Sequence, residues 1–144
     1  MSVINTWGEY KIKSSKTGKE YTVKNMIVNG GLENLAALLA GTGDTIGYLA
    51  LGNDSSSVSA TDTTLGNEIL RTAVTAVSAA GYSCTSVFTV LAAEAVGAIT
   101  EIGIYAGGTS VANSGTLISR ALWSYTKTAD EELYITRTDT IGRA

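Results

Sequence analysis

The stretch Tyr82-Ser-Cys-Thr-Ser-Val-Phe-Thr-Val-Leu91 decides the fold class, because its side chains alternate in the way a β-strand requires. Successive side chains of a strand point to opposite faces of the sheet. The alternation predicts one face formed by Cys84, Ser86, Phe88 and Val90, and another formed by Ser83, Thr85, Val87, Thr89 and Leu91. Cys84 is the single cysteine of the chain, so it has no internal disulfide partner, and a small buried thiol is the simplest interpretation.

Seven further stretches carry the alternation or the β-branched and aromatic residues that favour strands. They are residues 7–13, 21–28, 46–52, 72–77, 99–105, 117–123 and 133–138. Residues 65–71 are too short for an independent helix. We expect Asn67 to fix a turn there, and the spacing of Glu68 and Arg71 predicts an ion pair.

One stretch has helical spacing instead. Leu32, Leu35, Ala36 and Leu39 recur at intervals of three and four, which predicts a short helix near residues 31–40. Its apolar face is expected to lie against a sheet. Gly30 followed by Glu33 predicts a partial capping box at the start, and Gly41 predicts a cap at the end.

These elements predict a mainly β fold, an antiparallel β-sandwich of about eight strands with one short α-helix near residues 31–40. Strands do not alternate with helices, so a parallel nucleotide-binding sheet is not expected. We find no linker or internal repeat, and we interpret residues 1–144 as a single β-sandwich domain. The N-terminal hairpin, residues 7–28, is a candidate assembly extension of that domain.

The surface is predicted to carry little charge. Charged residues make up 16% of the chain, against about 25% in an average soluble domain. This favours extensive cover by partner molecules, while a threonine- and serine-rich sandwich that is simply soluble is the alternative. Proline is absent, although proline often protects sheet edges. Edges covered by neighbouring copies would explain both features.

The charge balance does not favour nucleic acid as a partner. The net charge is −3, so no overall basic field attracts phosphates. A local exception is a group of lysines near the start of the chain: Lys11, Lys13, Lys16, Lys19 and Lys24. A solvated hairpin explains this group more simply than a phosphate-binding patch does.

The residue types needed for most catalysis are missing. The chain has no histidine, which removes Ser–His–Asp and Cys–His arrangements and Cys/His zinc sites. Glu94 and Glu101 are the remaining candidates, as the acid and base of a small glycosidase. Surface charge or hydrogen bonding to turn backbone explains both residues more simply. We therefore expect no enzyme activity, no catalytic residue and no cofactor.

Three loops resemble ligand-binding motifs without matching them. Gly41-Thr-Gly43 with Gly47 follows a helix and precedes a strand, the reverse of the order in phosphate loops. Ser15-Lys-Thr-Gly-Lys19 lacks the spacing of a Walker motif. The segment Asn53-Asp-Ser-Ser-Ser, with Asp62, offers oxygen ligands for calcium, but an Asx-rich turn is the simpler interpretation. No metal site is predicted.

The chain is not expected to enter a membrane. Its first residues, Met1-Ser-Val-Ile-Asn-Thr-Trp-Gly, are polar and unlike a signal peptide. No apolar run approaches the ~18 residues that a spanning helix needs. We therefore expect the protein to be made in a cytoplasm and to remain there until an assembly carries it out.

Six stretches form a distinctive combination in their order along the chain. The most distinctive is Ala60-Thr-Asp-Thr-Thr-Leu-Gly-Asn-Glu-Ile-Leu-Arg71. The others are residues 24–41, 46–53, 127–130, Ile99-Thr-Glu-Ile-Gly-Ile-Tyr105 and Leu117-Ile-Ser-Arg-Ala-Leu-Trp123. In this combination, over most of residues 24–138, the chain resembles short tail fibre or tail-collar fibre structural proteins of tailed bacteriophages. The resemblance implies a virion component without a cofactor, and it carries over no catalytic residue.

The leading hypothesis is a virion structural protein, a tail or collar fibre component assembled in the cytoplasm of a bacterial host. It would form homo-oligomers and contact other tail, collar or capsid proteins. One alternative is capsid decoration, as a cement or head-fibre protein. Another is a carbohydrate-binding module for a host-surface glycan, because aromatic side chains can stack on sugars. The aromatic candidates are Tyr48, Tyr82, Tyr105, Trp123, Tyr125 and Tyr134.

Overall fold

The computed structural model of the chain describes residues 4–143. Within this range the chain forms nine strands and one α-helix. The strands are β1 (Ile4–Ser14), β2 (Glu20–Ile27), β3 (Ile46–Gly52), β4 (Glu68–Ala73), β5 (Ala76–Ala80), β6 (Ser83–Val90), β7 (Gly97–Ala106), β8 (Thr116–Lys127) and β9 (Leu133–Arg143). The helix, α1, spans Asn29–Leu39.

All nine strands belong to one antiparallel sheet that curls into a half-barrel. Their order across the sheet is β4-β3-β7-β8-β2-β1-β9-β6-β5. The two halves meet at a short pairing of β2 with β8, in which Met26 lies opposite Arg120 and Ile27 opposite Ser119. The prediction of a mainly β, antiparallel, sandwich-like fold with one helix is confirmed.

The main core fills the concave side of this sheet. Strand alternation places buried apolar residues from both halves face to face, among them Tyr10, Ile12, Leu49, Phe88 and Ile104. The alternation predicted for residues 82–91 is confirmed, because Ser86, Phe88 and Val90 are buried while Val87 and Thr89 are only partly covered. A second, smaller apolar cluster is formed by Val28, Ala50, Leu65, Tyr105 and Leu117.

The N-terminal hairpin is part of the sheet. β1 pairs with β2 on one side and with β9 along its whole length on the other. Tyr10 and Ile12 of β1 have no exposed surface. The hairpin at residues 7–28 therefore supplies core residues to the domain, and its role as an assembly extension stays a prediction. Its five lysines are exposed, as expected for a solvated hairpin.

The predicted strand at residues 72–77 is wrong in its bounds, because the chain changes pairing partner inside it. β4 pairs with β3, and β5 pairs with β6. Between them Val74 donates its N–H to the Gly47 carbonyl, and Thr75 donates to the Val87 carbonyl. The turn at Asn67 ends directly before β4. The sheet therefore has nine strands where the sequence predicts about eight.

The helix begins two residues earlier than predicted and without the predicted capping box. Its N-cap is Val28, which makes no side-chain cap hydrogen bond. The glycines serve close packing instead, since a Cβ at Gly31 would lie 2.6 Å from the Ile118 carbonyl oxygen of β8. The cap at Gly41 is confirmed. Gly41 has a φ of +77°, and Thr42 N–H donates to the Ala37 carbonyl at 2.9 Å.

The apolar face of α1 is less covered than the sequence predicts. The helix contacts β8, and Gly31 is its buried residue. Leu32 is 48% exposed and Leu39 is 86% exposed. The helix therefore approaches the sheet closely at Gly31, while Leu32, Leu38 and Leu39 keep much of their surface exposed.

Candidate functional site

The most elaborate polar site links the long loop at residues 53–67 to the sheet through Glu101 and Arg120. Glu101 lies on β7 and Arg120 on the neighbouring β8. The β7–β8 register shifts between Ile99 and Glu101, and such irregularities re-aim side chains. Leu65 of the loop lies in the smaller apolar cluster. The loop is therefore held by both apolar and charged contacts.

Glu101 is fully buried and accepts four hydrogen bonds. Its Oε1 accepts from the Gly66 N–H at 2.7 Å and from Arg120 Nε at 2.8 Å. Its Oε2 accepts from the N–H groups of Asn67 at 2.8 Å and Asp54 at 3.0 Å. Both ends of the loop are thereby bonded to one carboxylate. Because a buried charge is costly without such partners, this loop conformation and the charge of Glu101 depend on each other.

Arg120 binds the middle of the same loop and is 2% exposed. Its guanidinium donates to the carbonyls of Ser56 at 3.1 Å and Ser57 at 3.3 Å, and to the Asp62 carboxylate at 3.3 Å. Burial alone lowers the pKa of Arg120, but its bonds to Glu101 and Asp62 outweigh that effect and raise it. The side chain stays charged and clamps the loop from the sheet side.

A second buried ion pair holds another loop, residues 107–115. Arg71 and Glu68 of β4 bond through two pairs of atoms, Nε to Oε2 and Nη2 to Oε1, both at 2.9 Å. The predicted pairing is confirmed, but each side chain is only 3% exposed. Arg71 Nη1 donates to the carbonyls of Thr109 at 2.9 Å and Ser114 at 3.0 Å.

Two tyrosines complete this second site. The Arg71 guanidinium lies 4.6 Å from the ring centroid of Tyr105 and 5.2 Å from that of Tyr48. Tyr105 also accepts a hydrogen bond at its hydroxyl from the Leu65 N–H, at 3.1 Å. Burial is the main cause that raises the pKa of Tyr105. Through Tyr105, the site that holds residues 107–115 touches the loop held by Glu101 and Arg120.

Three of the stretches from which we predict a resemblance to phage fibre proteins supply the charged residues of these two sites. The distinctive stretch at residues 60–71 supplies Asp62, Glu68 and Arg71. Residues 99–105 supply Glu101, and residues 117–123 supply Arg120. Sequence reasoning considered Glu101 as an acid or base and missed Arg120. The available signal was an arginine inside an apolar strand, since arginine is rarely buried without a partner.

Glu94 and Glu101 serve separate structural contacts. Glu94 Oε1 accepts from the Leu91 N–H at 2.8 Å across a turn, as the turn-bonding interpretation expects. Glu101 also bonds loop backbone, but it is fully buried and not a surface charge. A glycosidase needs both carboxyl groups facing one substrate cleft, and Glu101 instead faces the residues 53–67 loop.

The calcium candidates bond within their own loop. Asp54 Oδ1 accepts from the Ser56 N–H at 2.7 Å, and this backbone bond is the main cause that lowers the pKa of Asp54. Asp62 Oδ2 accepts from the Ser59 N–H at 3.0 Å. Over residues 4–143, no three Asp, Glu, His or Cys side chains converge in a way that could hold a metal ion.

The glycine-containing loops lie at ordinary structural positions. Gly41 ends α1, and Gly47 lies near the start of β3. Residues 15–19 form the turn between β1 and β2. Cys84 is partly covered, and burial raises the pKa of its thiol.

The aromatic candidates for sugar stacking are divided between the interior and the surface. Tyr105 is fully buried and Trp123 is 8% exposed. The Trp123 ring stacks on Tyr125 with centroids 4.9 Å apart. Tyr82 and Tyr134 are exposed. The six residues therefore do not form one platform.

A third buried carboxylate, Glu131, organises the turn between β8 and β9. It accepts from the Ser14 hydroxyl at 2.7 Å, the Tyr125 hydroxyl at 2.5 Å and the Thr128 N–H at 2.8 Å. Burial by itself raises the pKa of Glu131. The hydrogen bonds from Thr128, Tyr125 and Ser14 together outweigh it and lower the pKa to about 2. The nearby Tyr125 pKa rises to about 12, first through burial and then through its bond to Glu131.

Replacing Glu131 by glutamine is expected to lower the free energy of unfolding at neutral pH by about 2 kcal/mol. A carboxylate whose pKa is depressed by folding stabilises the fold above its unfolded pKa, and that stabilisation is lost as the pH falls towards the folded value. The difference between the two proteins should therefore shrink from pH 4.5 to about 2. Urea unfolding at several pH values measures it. The matched control is Glu132→Gln, and an equal pH dependence in both variants would contradict the assignment.

No protein-family model, curated protein or solved structure matches the chain. Within residues 4–143, the helix is neither long nor apolar enough to cross a membrane.

Proposed function

We propose that the chain is a structural protein of a tailed-bacteriophage virion, a tail or collar fibre component that self-assembles and contacts neighbouring virion proteins. The observation that carries the proposal is the convergence of three of the family-like stretches on the buried guanidinium of Arg120. Residues 60–71, 99–105 and 117–123 are distant in sequence. Arg120 nevertheless bonds to both Glu101 and Asp62, so that one charged residue comes from each stretch. Glu68 and Arg71 pair within residues 60–71.

This arrangement supports a role in presenting rigid loops to neighbouring proteins rather than a role in catalysis. The ion pairs fix the loops at residues 53–67 and 107–115 through backbone contacts. A virion protein benefits from such rigidity, because loops that are already ordered lose little conformational entropy when a neighbour docks.

The distribution of charge supports the same role. The chain has 10 basic and 13 acidic residues. Five of these are buried, and Glu68 and Arg71 each keep only 3% of their side-chain surface. Charged residues are buried about as often as the described residues in general, so the accessible surface keeps the low charge of the composition. Interfaces are depleted in charge at their centres, so this surface suits contact with other proteins.

The proposal is tested on particles purified from infected cells of the host. We expect mass spectrometry to detect the chain as a stoichiometric, multi-copy component. Cryo-electron microscopy should then place its nine-stranded sheet at the tail or collar. Absence of the chain from purified particles would overturn the proposal.

The same cryo-electron microscopy map distinguishes the possible positions of the protein on the particle. A site on the capsid surface would replace the fibre role with decoration. A separate glycan array tests the carbohydrate-binding alternative, for which Tyr82 and Tyr134 are the exposed aromatic residues.

A further inference from the structure

Within residues 4–143, the edge strand β5 has no neighbouring strand on its outer side. It is the last strand in the sheet order and pairs only with β6 among the described strands. All five of its residues, Ala76-Val-Ser-Ala-Ala80, are exposed, and none is charged or proline. Sheet edges normally carry charge or proline because bare edges pair with other chains. β5 therefore lacks two common protections against pairing.

The hydrogen-bond pattern shows which backbone groups of β5 point outwards. Ile141 N–H donates to the Tyr82 carbonyl, so even-numbered residues of β6 bond towards β9. By alternation, Ser83, Thr85 and Val87 bond towards β5, where their register partners are Ala80, Ser78 and Ala76. The N–H and carbonyl groups of Val77 and Ala79 are therefore the ones that face outwards.

An apolar groove of about 190 Å³ lies beside this edge. Val77 lines it together with Leu32 and Leu38 of α1 and Ile141 of β9. These four side chains are 39–48% exposed. The incomplete cover of α1 thus leaves apolar surface directly next to the unpaired backbone groups.

We infer that β5 is a self-association edge, and that its occupant is β5 of a second copy of this chain, paired antiparallel about a two-fold axis at Ser78. In this register Val77 of each copy exchanges both backbone hydrogen bonds with the partner's Ala79. Four hydrogen bonds form in total, and the sheets of the two copies become continuous. Val77 and the partner's Ala79 then extend the apolar surface of the groove.

Charge and shape favour a second copy as the occupant. In a two-fold contact, the edge of one copy faces the same edge of the other copy. Charged residues on that edge would therefore face residues of like charge. β5 is uncharged, and its side chains are small enough to pair directly. The surface area buried by strand pairing alone is small compared with the roughly 800 Å² that each partner of a stable interface buries. The apolar groove next to β5 supplies further surface.

The inference deepens the proposed function by naming the surface through which copies associate, and it does not require the chain to be found on a virion. Its test uses the isolated protein in solution. A failure here leaves the particle experiment unaffected, and absence from particles leaves this test unaffected.

The measurement is sedimentation equilibrium over a wide range of concentrations. We expect a monomer–dimer equilibrium in the wild type, and at least about tenfold weaker association in Ser78→Lys and in Ser78→Glu. Mixing these two variants should restore dimers, because the introduced ammonium of one copy faces the introduced carboxylate of the other. Ser124→Lys, at an exposed position on β8, is the matched control and should dimerise like the wild type.

A disulfide cross-linking experiment tests which residues of the two β5 strands face each other. Residues facing each other in a non-hydrogen-bonded antiparallel pair have Cα atoms about 4.5 Å apart, within the range of about 4.4–6.8 Å that a disulfide spans. Ser78→Cys should therefore form a covalent dimer on oxidation, while Ser124→Cys should not. A wild type that stays monomeric, or a mixture of charged variants that fails to associate, would overturn the inference.

Discussion

Glu101→Gln is expected to lower the free energy of unfolding by about 3–5 kcal/mol, because it removes the nearer counter-charge of buried Arg120 and leaves the Asp62 carboxylate, at 3.3 Å, as the remaining one. The amide group also brings N–H donors to a position that already receives four donors, from Gly66, Asn67, Asp54 and Arg120. An unpaired buried donor costs about 1–3 kcal/mol. A loss of this size removes a large part of the stability of an ordinary domain.

Urea unfolding followed by tryptophan fluorescence measures the change, with Glu94→Gln as the matched control. Glu94 makes the same kind of carboxylate-to-backbone bond, but at an exposed turn. We expect its substitution to cost at most about 1 kcal/mol. Equal midpoints for the two variants would show that Glu101 does not hold the loop.

The strands were predictable because their signal is local. The alternation in residues 82–91 places Phe88 and Val90 on the core side, as the structure has them. The stretch 46–52 matches β3 to the residue. A strand with one buried face repeats its pattern within a few residues, so no knowledge of its partners is needed.

The division between β4 and β5 was not predictable in this way. The alternation runs through Val74 and Thr75 without a proline or glycine to mark the break. The break arises because β4 pairs with β3, whereas β5 pairs with β6. Such a change of partner depends on contacts between distant residues, and the local pattern does not contain them.

The start of α1 shows a similar limit. Gly30 with Glu33 predicts a capping box that the structure does not have, whereas the neighbouring Gly31 is needed because the Ile118 carbonyl approaches the helix closely. Only the packing against β8 explains that glycine. Gly41 was predictable, since a left-handed residue after the last turn is a property of the helix end itself.

The candidate site was predictable in its parts and not in its assembly. The ion pair of Glu68 with Arg71 follows from their spacing. The pairing of Glu101 with Arg120 depends on two strands becoming neighbours. Sequence spacing of 19 residues gives no reason to join them. The burial of both pairs likewise comes from loops that fold back over the sheet.

Arg71→Leu is the second substitution with a large expected effect, a loss of about 3–5 kcal/mol. Leucine keeps apolar contact with Tyr48 and Tyr105 but leaves Glu68 buried without a counter-charge. The carbonyls of Thr109 and Ser114 also lose the hydrogen bonds from Arg71, and the Thr109 carbonyl keeps the one from the Ser114 hydroxyl. The loop at residues 107–115 should then open more often than the rest of the fold, and amide hydrogen exchange measures that opening residue by residue.

Two controls separate the ion pair from a general effect of removing an arginine. Arg143→Leu changes an exposed arginine on β9 and is expected to alter stability by at most about 0.5 kcal/mol. The double variant Glu68→Leu with Arg71→Leu leaves no unpaired charge, so it should be more stable than Arg71→Leu alone. If the two losses simply add, the pair does not couple, and the loop must be held by other contacts. If the double variant recovers stability while the loop still exchanges rapidly, the cost of the unpaired charge and the anchoring of residues 107–115 are separate contributions of the same arginine.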